Sequence, residues 1–568
     1  MRPQTKKTIA FNNWIRKDPF HLVYGLQTRG TFMKKFLMAA LSAALLISAA
    51  GCSNQTKEEP KVTALSVMDT VNSKNIVNSE SDMRLWYQVN PALFTDRATG
   101  AAGTISSILT DIEYLSDGDM ETTNDLNMSG ILLTNLFAVD DQNAPKDFVT
   151  IDPNLGIDDD LSSLCNRGAS LNLPVMVSLE IGYISQENAD FKAMCDLVNQ
   201  NPDHEDLFSL NPDLFDMFFI EKDHGGQDGW TQIGTTAYYY RSLPQTSIPK
   251  LNMGNINVRV QLQTGLRHLI NLGVSGFYIP DFDAVFGENQ EQGAEFMTWM
   301  SESVQEMNPN AKVVYSYTNW NDALAPIPAY SAWKEGEGAQ GMIGKAVTGA
   351  IPAKDLGLWL ESAGNQSNGM NASFINSDQN SLDLLKVSSR LPQYKMALAL
   401  QIMTSGQIFI LSGDELGLTS EQTDLIVDAI EMPKEDEEEN TDSETKGQEI
   451  DLEFGSLSEQ KADGNSILNF VQQAIKLRNS WLAISEGTTT CLQDLSTDQV
   501  LVLDKRQSNS EAVLVFNLSS EEATVDLSSV KINSLPAELG GELLTGTSPV
   551  TLENNILTLP ANSMALLK

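Results

Sequence analysis

At 568 residues and 41% hydrophobic content, the chain is long enough for two or three domains with sizeable cores, which excludes a disordered polypeptide. Its formal charge of −38 excludes nucleic acid as a partner, because like charges repel and no counterions would be released on binding. A neutral ligand such as a sugar carries no such penalty, and the acidity equally suits a soluble exported protein.

In chain order, the first feature is "MKKFLMAALSAALLISAAGC", from Met33 to Cys52. Lys34 and Lys35 precede an apolar run, then small residues and a cysteine. The order is that of an export signal, and the run is too short for a membrane span. The ending "ISAAGC" resembles the lipobox of bacterial lipoproteins, in which the cysteine, here Cys52, takes the lipid and becomes the first mature residue. Ala49 stands where leucine is more typical, so a plain secreted protein is the alternative. Residues 1–51 hold eight Lys/Arg and one Asp, net +7, which leaves −45 on the remainder. Cys165, Cys195 and Cys491 are odd in number and show no metal spacing, so no disulfide framework is expected. Residues 53–75 are polar and read as a tether.

A barrel domain is expected over 76–486. "MRLWYQV" (83–89), "GILLTNLF" (130–137), "LPVMVSLE" (173–180), "GFYIP" (276–280), "KVVYSY" (312–317) and "GQIFIL" (406–411) read as strands, with a helix at 258–273. Near-continuous apolar strands alternating with helices imply a parallel sheet covered on its faces. The pattern fits an α/β fold, a (β/α)8 TIM barrel, and no Gly-rich phosphate loop follows any strand. Residues 185–250 form an insertion after the third strand. An acidic loop occupies 431–454; its charge run at 431–447 reads as solvated, and calcium there has no EF-hand spacing to support it. No cofactor is therefore expected. From 487 to 568, short alternating strands such as "VLVLDKR" and "AVLVFNLS" predict a C-terminal all-β sandwich.

From about residue 83 onward the chain resembles the α-amylase family, glycoside hydrolase family 13. "LWYQVNPALFTD" is similar to the family's first-strand opening. "IDPNLGIDDDLSSLCNRGASLNLPVMVSL" resembles the approach to the third strand, and "PKLNMGNINVRVQL" with "LGVSGFYI" the entry to the fourth. "ALALQIMTSGQIFILSGDELGL" resembles the eighth strand and its Gly-Asp-Glu turn, and "LPANSMALLK" the end of the C-terminal domain. The resemblance implies a barrel with an insertion after strand three and a β-sandwich behind it.

It also implies a chemistry that this chain departs from. Retaining glycosidases use a nucleophilic carboxylate and an acid/base carboxylate about 5 Å apart. In barrels such groups sit at the C-terminal ends of strands. The family's fourth strand resembles Gly-Phe-Arg-Leu-Asp; here Tyr278 replaces the arginine and Pro280 the nucleophile. Asp283, in "PDFDAV", is the best displaced candidate and Asp281 the second, provided that the chain turns sharply there. The acid/base at the end of the fifth strand is replaced by Ser316 or Tyr317. The third strand's Asp-x-x-x-Asn-His region reads Ser178 to Tyr183, and the seventh's Asn-His-Asp reads Asn376-Ser377-Asp378. Asp378 alone matches the family's transition-state-stabilising aspartate; a helix cap or rim structure is the other account of it. Asp414 and Glu415 are taken as structural.

Tyr183, Tyr278, Tyr315, Tyr317 and Trp320 are expected near the mouth, where sugars stack on aromatic faces. Ser377 joins the expected substrate-binding set. The expectation is thus a lipid-anchored, extracytoplasmic α-amylase-family protein with a degenerate catalytic set that binds α-glucan or oligosaccharide. An active hydrolase or transglycosylase with Asp283 displaced, and a non-catalytic scaffold for a protein partner, stay open.

Overall fold

In the computed structural model the described residues are 83–95, 102–119, 124–287, 289–316, 341–366, 385–419 and 452–568, with residues 68, 71, 122, 422 and 426 and the strands at 330–334 and 371–374. Residues 33–52, expected to be an export signal ending at Cys52, nearly all of the expected tether at 53–75 and the charge run at 431–447 lie outside them.

Three strands come first: β1 (Leu85–Val89), β2 (Gly130–Leu133) and β3 (Val175–Ser178). Three short ones follow, β4 (Ile220–Lys222), β5 (Trp230–Gln232) and β6 (Tyr238–Arg241). Then come β7 (Gly276–Ile279), β8 (Lys312–Ser316), β9 (Tyr330–Lys334), β10 (Asn371–Phe374) and β11 (Gln407–Leu411). β1, β2, β3, β7, β8, β9, β10 and β11 close a parallel barrel in that order, β11 pairing back onto β1. The (β/α)8 expectation is met.

Side chains alternate along a strand, so every second residue enters the barrel. Trp86, Leu132, Met176, Tyr278, Val314 and Phe409 share one interior cluster, each from a different strand. Their neighbours Tyr87, Ile131, Val177, Phe277, Tyr315 and Ile408 point the other way, into the core shared with the helices. Burial on both faces is why these strands read as unbroken apolar runs. Trp86 explains one glycine: a Cβ on Gly130 would lie 2.3 Å from the indole ring. The indole Nε1 donates to Gln407 Oε1 at 2.7 Å, so its polar edge is satisfied inside the barrel.

The helix Ile256–Asn271 begins two residues before the expected start, because Asn255 accepts from the amides of Asn257 and Val258. It ends near Gly273, whose φ of +105° no continuing helix can hold. Val258, Leu262, Leu266 and Leu269 form its buried stripe. The segment at 185–250 carries the helix Ala189–Gln200 and an antiparallel sheet in the order β4-β6-β5. Phe191 joins the two, with its ring edge-on to Phe218 at 5.4 Å and Tyr240 at 4.8 Å.

The C-terminal strands are β12 (Thr488–Cys491), β13 (Val500–Gln507), β14 (Ser510–Asn517), β15 (Ala523–Asp526), β16 (Lys531–Ile532), β17 (Leu535–Pro536), β18 (Leu539–Leu544), β19 (Thr551–Glu553), β20 (Ile556–Leu559) and β21 (Ser563–Leu567). A five-stranded sheet, β12-β13-β14-β21-β18, faces a three-stranded one, β15-β20-β19. Val500 and Val502 enter the sandwich core, while Leu501 and Leu503 enter the core shared with the barrel. Two buried cations lie at that junction. Arg478, on the helix Ile467–Ser480, donates to the carbonyls of Ile402, Thr404 and Gly406, which lead into β11. Lys505 donates to the hydroxyls of Ser405 and Thr489 at 2.6 and 2.8 Å, and burial lowers its ammonium pKa to about 7.

Arg478→Met leaves three buried carbonyls without their donor. A loss of about 3–5 kcal/mol in unfolding free energy is expected, read from the shift in a urea unfolding midpoint. A shift under about 1 kcal/mol contradicts the assigned role.

Candidate functional site

A cleft of about 460 Å³ opens at the C-terminal ends of the first barrel strands. Asn90 follows β1, Asn135 follows β2, and Ser178 and Glu180 stand at the end of β3, with Tyr183 on the turn beyond. Phe137, Asp147 and Asp152, from the segment between β2 and the next helix, form the opposite wall. Asp147 accepts from the amides of Val149 and Thr150 and from the Thr150 hydroxyl. Burial opposes its ionisation, but those bonds outweigh it and hold the carboxyl below its usual range. It is a turn former, and Asp152, accepting from Asn154, is another.

Glu180 is placed differently. It lies two residues beyond Ser178 and four beyond the interior Met176, so the strand's period aims it into the mouth. The Tyr183 hydroxyl donates to Glu180 Oε2 at 2.8 Å. Burial, with the charges of Glu180 and Asp281 behind it, pushes the Tyr183 phenol well above its usual range. Tyr183 is therefore a neutral donor that fixes the Glu180 carboxylate, and both line the cleft. Glu180 had no place among the sequence candidates; the signal was available in its parity with Ser178. Among the described residues, no Lys, Arg or His lines the cleft, whereas three carboxylates do. The field favours a neutral hydroxylated ligand and opposes a phosphorylated one.

Pro280 follows β7 at the position whose parity is inward, and Asp281 turns the chain with φ of +47°. The helix Phe282–Phe286 starts at once. Phe282 is buried against Phe286, Phe296 and Tyr315, and Val285 sits where a Cβ on Gly182 would be 2.6 Å away. The sharp turn that a displaced carboxylate requires is thus present. Asp283 lies in that short helix, and its side chain is outside the described residues. Ser316 ends β8 at an inward position, fully buried, and its Oγ has no hydrogen-bond partner among the described residues.

The aromatics separate by parity. Tyr183 lines the cleft. Tyr278 is 7% exposed and packs edge-on against Phe409 at 5.5 Å inside the barrel. Tyr315 corrects the expectation for the mouth. It points out of the barrel, and its hydroxyl donates to the Met297 carbonyl. Tyr317, Trp320, Ser377 and Asp378 lie outside the described residues. Among the described residues, no cluster of three or more His, Cys, Asp or Glu could hold a metal.

The turn after β11 is a brace. The Lys386 ammonium meets Asp414 Oδ1 at 2.8 Å, both side chains buried. Glu415 Oε1 accepts from Tyr87 at 2.9 Å and Tyr114 at 2.8 Å, and Oε2 from the Gly413 amide. Burial raises the Glu415 carboxyl to about 7, against the pull of the two tyrosine hydrogen bonds. Because the folded value lies above the unfolded 4.5, this contribution to stability is fully present below pH 4.5. It is lost as pH rises through about 7. Relative to Glu415→Gln, the wild type should lose up to about 3 kcal/mol between pH 4.5 and 8, measured by urea unfolding across that range. Parallel pH profiles for the two proteins contradict the assignment.

The chain matches the family model for the α-amylase catalytic domain over residues 88–325. It is 19% identical over 458 residues to Alpha-amylase 3 of Dictyoglomus thermophilum, covering 78% of this chain and 85% of that one. The fold is similar to that of Eubacterium rectale Amy13B, with a TM-score of 0.75 at 23% identity over 88% of this chain and 98% of the other. The α-amylase from H. orenii superposes with a TM-score of 0.67 at 18% identity, covering 86% and 99%. Bacillus licheniformis trehalose-6-phosphate hydrolase gives 0.64 at 16% identity, covering 86% and 99%.

Proposed function

Because the chain belongs to the α-amylase family, a carbohydrate-active family built on this barrel, we propose that it binds α-glucan at the mouth cleft and cleaves it negligibly. It does so as an extracytoplasmic protein held to the membrane by a lipid on Cys52. The observation that carries this is the pair of rim positions where the family resemblance calls for carboxylates. Pro280 and Ser316 occupy them at the ends of β7 and β8, and the cleft at the ends of β1, β2 and β3 keeps hydrogen-bonding groups in Asn90, Asn135, Ser178, Glu180 and Tyr183.

Two separate contributions to glycoside cleavage are then missing. Without a carboxylate at position 280 there is no covalent route through it. Serine cannot protonate a leaving oxygen near neutral pH, and general acid catalysis is typically worth about 10²–10⁴ in rate. Hydroxyl hydrogen bonds and ring packing need no such pair, so binding outlasts the chemistry. The carboxylate-lined cleft also speaks against a phosphorylated sugar as the ligand. A second reading is favoured by the turn at Asp281, which brings Asp281 and the backbone of Asp283 to the rim directly after β7. Either could act as a displaced nucleophile.

The test pairs calorimetric titration of maltooligosaccharides with reducing-sugar assays on starch and turnover of an activated aryl glucoside. Binding with no turnover on any substrate is expected, and Tyr183→Ala should weaken binding at least fivefold. Aryl glucoside turnover that vanishes in Asp281→Asn or Asp283→Asn establishes the second reading instead. Turnover on starch refutes the proposal, and absence of both binding and turnover favours a protein-interaction scaffold.

The anchor has its own test. After expression in a bacterial host, the wild type should fractionate with membranes and Cys52→Ala with the soluble pool. Identical distribution of the two in the soluble fraction refutes lipidation.

A further inference from the structure

The C-terminal sandwich carries a second cleft, of about 630 Å³, which lies within the range of about 300–1,000 Å³ usual for small-molecule sites. Its floor is made by β13 and β14, and its walls by the loop after β12 and the segment 529–531. Along β13, Val500 and Val502 face the sandwich core, and the strand's period continues that face to Asp504 and Arg506. Opposite them on β14 stand Val513 and Glu511. The inner face therefore changes from apolar to charged where the cleft opens.

Asp504 is 8% exposed. Arg506 Nε donates to its Oδ2 at 2.8 Å, and Arg506 Nη2 meets Glu511 Oε1 at 2.8 Å. Its other oxygen, Oδ1, is shielded from solvent and accepts no hydrogen bond among the described residues. A buried acceptor without a donor is uncommon in a folded protein and calls for an occupant. Arg506, with its side chain 62% exposed, is the group that can shift to admit one.

The charges narrow the chemistry. Asp494, Asp504 and Glu511 stand against Arg506 and Lys531, so the cleft is net negative and opposes an anion. A metal ion does not fit: two of the three carboxylates already hold Arg506, and no metal-binding cluster is found among the described residues. A wholly apolar ligand would leave the floor's charges desolvated and unpaired. A neutral ligand with closely spaced hydroxyls meets every term. One hydroxyl donates to Asp504 Oδ1 and accepts from Arg506 or Lys531, the exposed Gln493 amide can do both, and Leu495 and Val530 offer apolar surface to a sugar ring. We infer that this cleft is a second saccharide-binding site, separate from the barrel mouth. Among the described residues no aromatic side chain lines it, so recognition rests on hydrogen bonds and the affinity should be low.

Affinity electrophoresis of the full mature chain through native gels containing amylopectin tests this independently of the mouth. The proteins compared are wild type, the mouth variant Tyr183→Ala, Asp504→Asn, and the surface pair Gln493→Ala with Lys531→Ala. The surface pair serves as the second probe, because both side chains are exposed and their loss leaves the Asp504–Arg506 contact in place. Retardation is expected to persist in Tyr183→Ala and to fall at least fivefold when either sandwich variant is added to it. Equal retardation of Tyr183→Ala with and without both sandwich variants overturns the inference. So does complete loss of retardation in Tyr183→Ala alone. If sandwich variants reduce retardation while Tyr183→Ala changes nothing, the second site stands and the mouth proposal falls.

Discussion

The two-residue period of the barrel strands is the constraint on which everything else in this molecule depends. It decides which side chains fill the barrel, which meet the helices, and which reach the mouth. Trp86, Met176, Tyr278, Val314 and Phe409 pack the interior as a buried apolar plug. Two residues further along the same faces come Ser178, Pro280, Ser316 and Leu411. A slip of one residue would exchange those for Val177, Ile279, Tyr315 and Ile410, which are core residues. The rim is thus fixed by packing beneath it, and the residues found there are the ones that chemistry has to work with.

On the proposed reading, those residues make a mouth better suited to holding a sugar than to breaking one. Glu180 is locked by the Tyr183 hydroxyl, while Asp147 and Asp152 are spent on their own turns. The insertion contributes to the cleft indirectly. The Ser185 hydroxyl donates to Asp140 Oδ2, and Gln142 bonds Ser247, so the segment at 185–250 is tied to the wall that faces Glu180. The brace at Glu415 joins β1, the helix Ile112–Leu115 and the turn after β11 from outside the barrel, where it cannot touch a ligand.

Much of the fold was legible because both-face burial writes itself into sequence as apolar runs. β1, β2, β3, β7, β8 and β11 all fall inside the runs expected for them. β9, "YSAWK", carries one aliphatic residue and gave no such run, so it went unnamed. The site was harder to see. The family resemblance draws attention to positions 280 and 316, where it implies carboxylates, but not to Glu180, whose residue type the family's motif does not carry there. Tyr315 was misplaced because a cluster of aromatics suggests a binding surface, and only the register shows that one of them faces a helix. The kink at Asp281 rests on a positive φ in a non-glycine residue, which aspartate tolerates but does not announce.

The central claim is that the mouth cleft holds an intact α-glucan against Tyr183 and Glu180. A crystal of the protein soaked in maltotriose tests it most directly. The account predicts three linked glucose units in the cleft, with both glycosidic bonds unbroken and a sugar hydroxyl within hydrogen-bonding distance of Glu180. A cleft without sugar at saturating maltotriose, or one holding cleaved products, contradicts it.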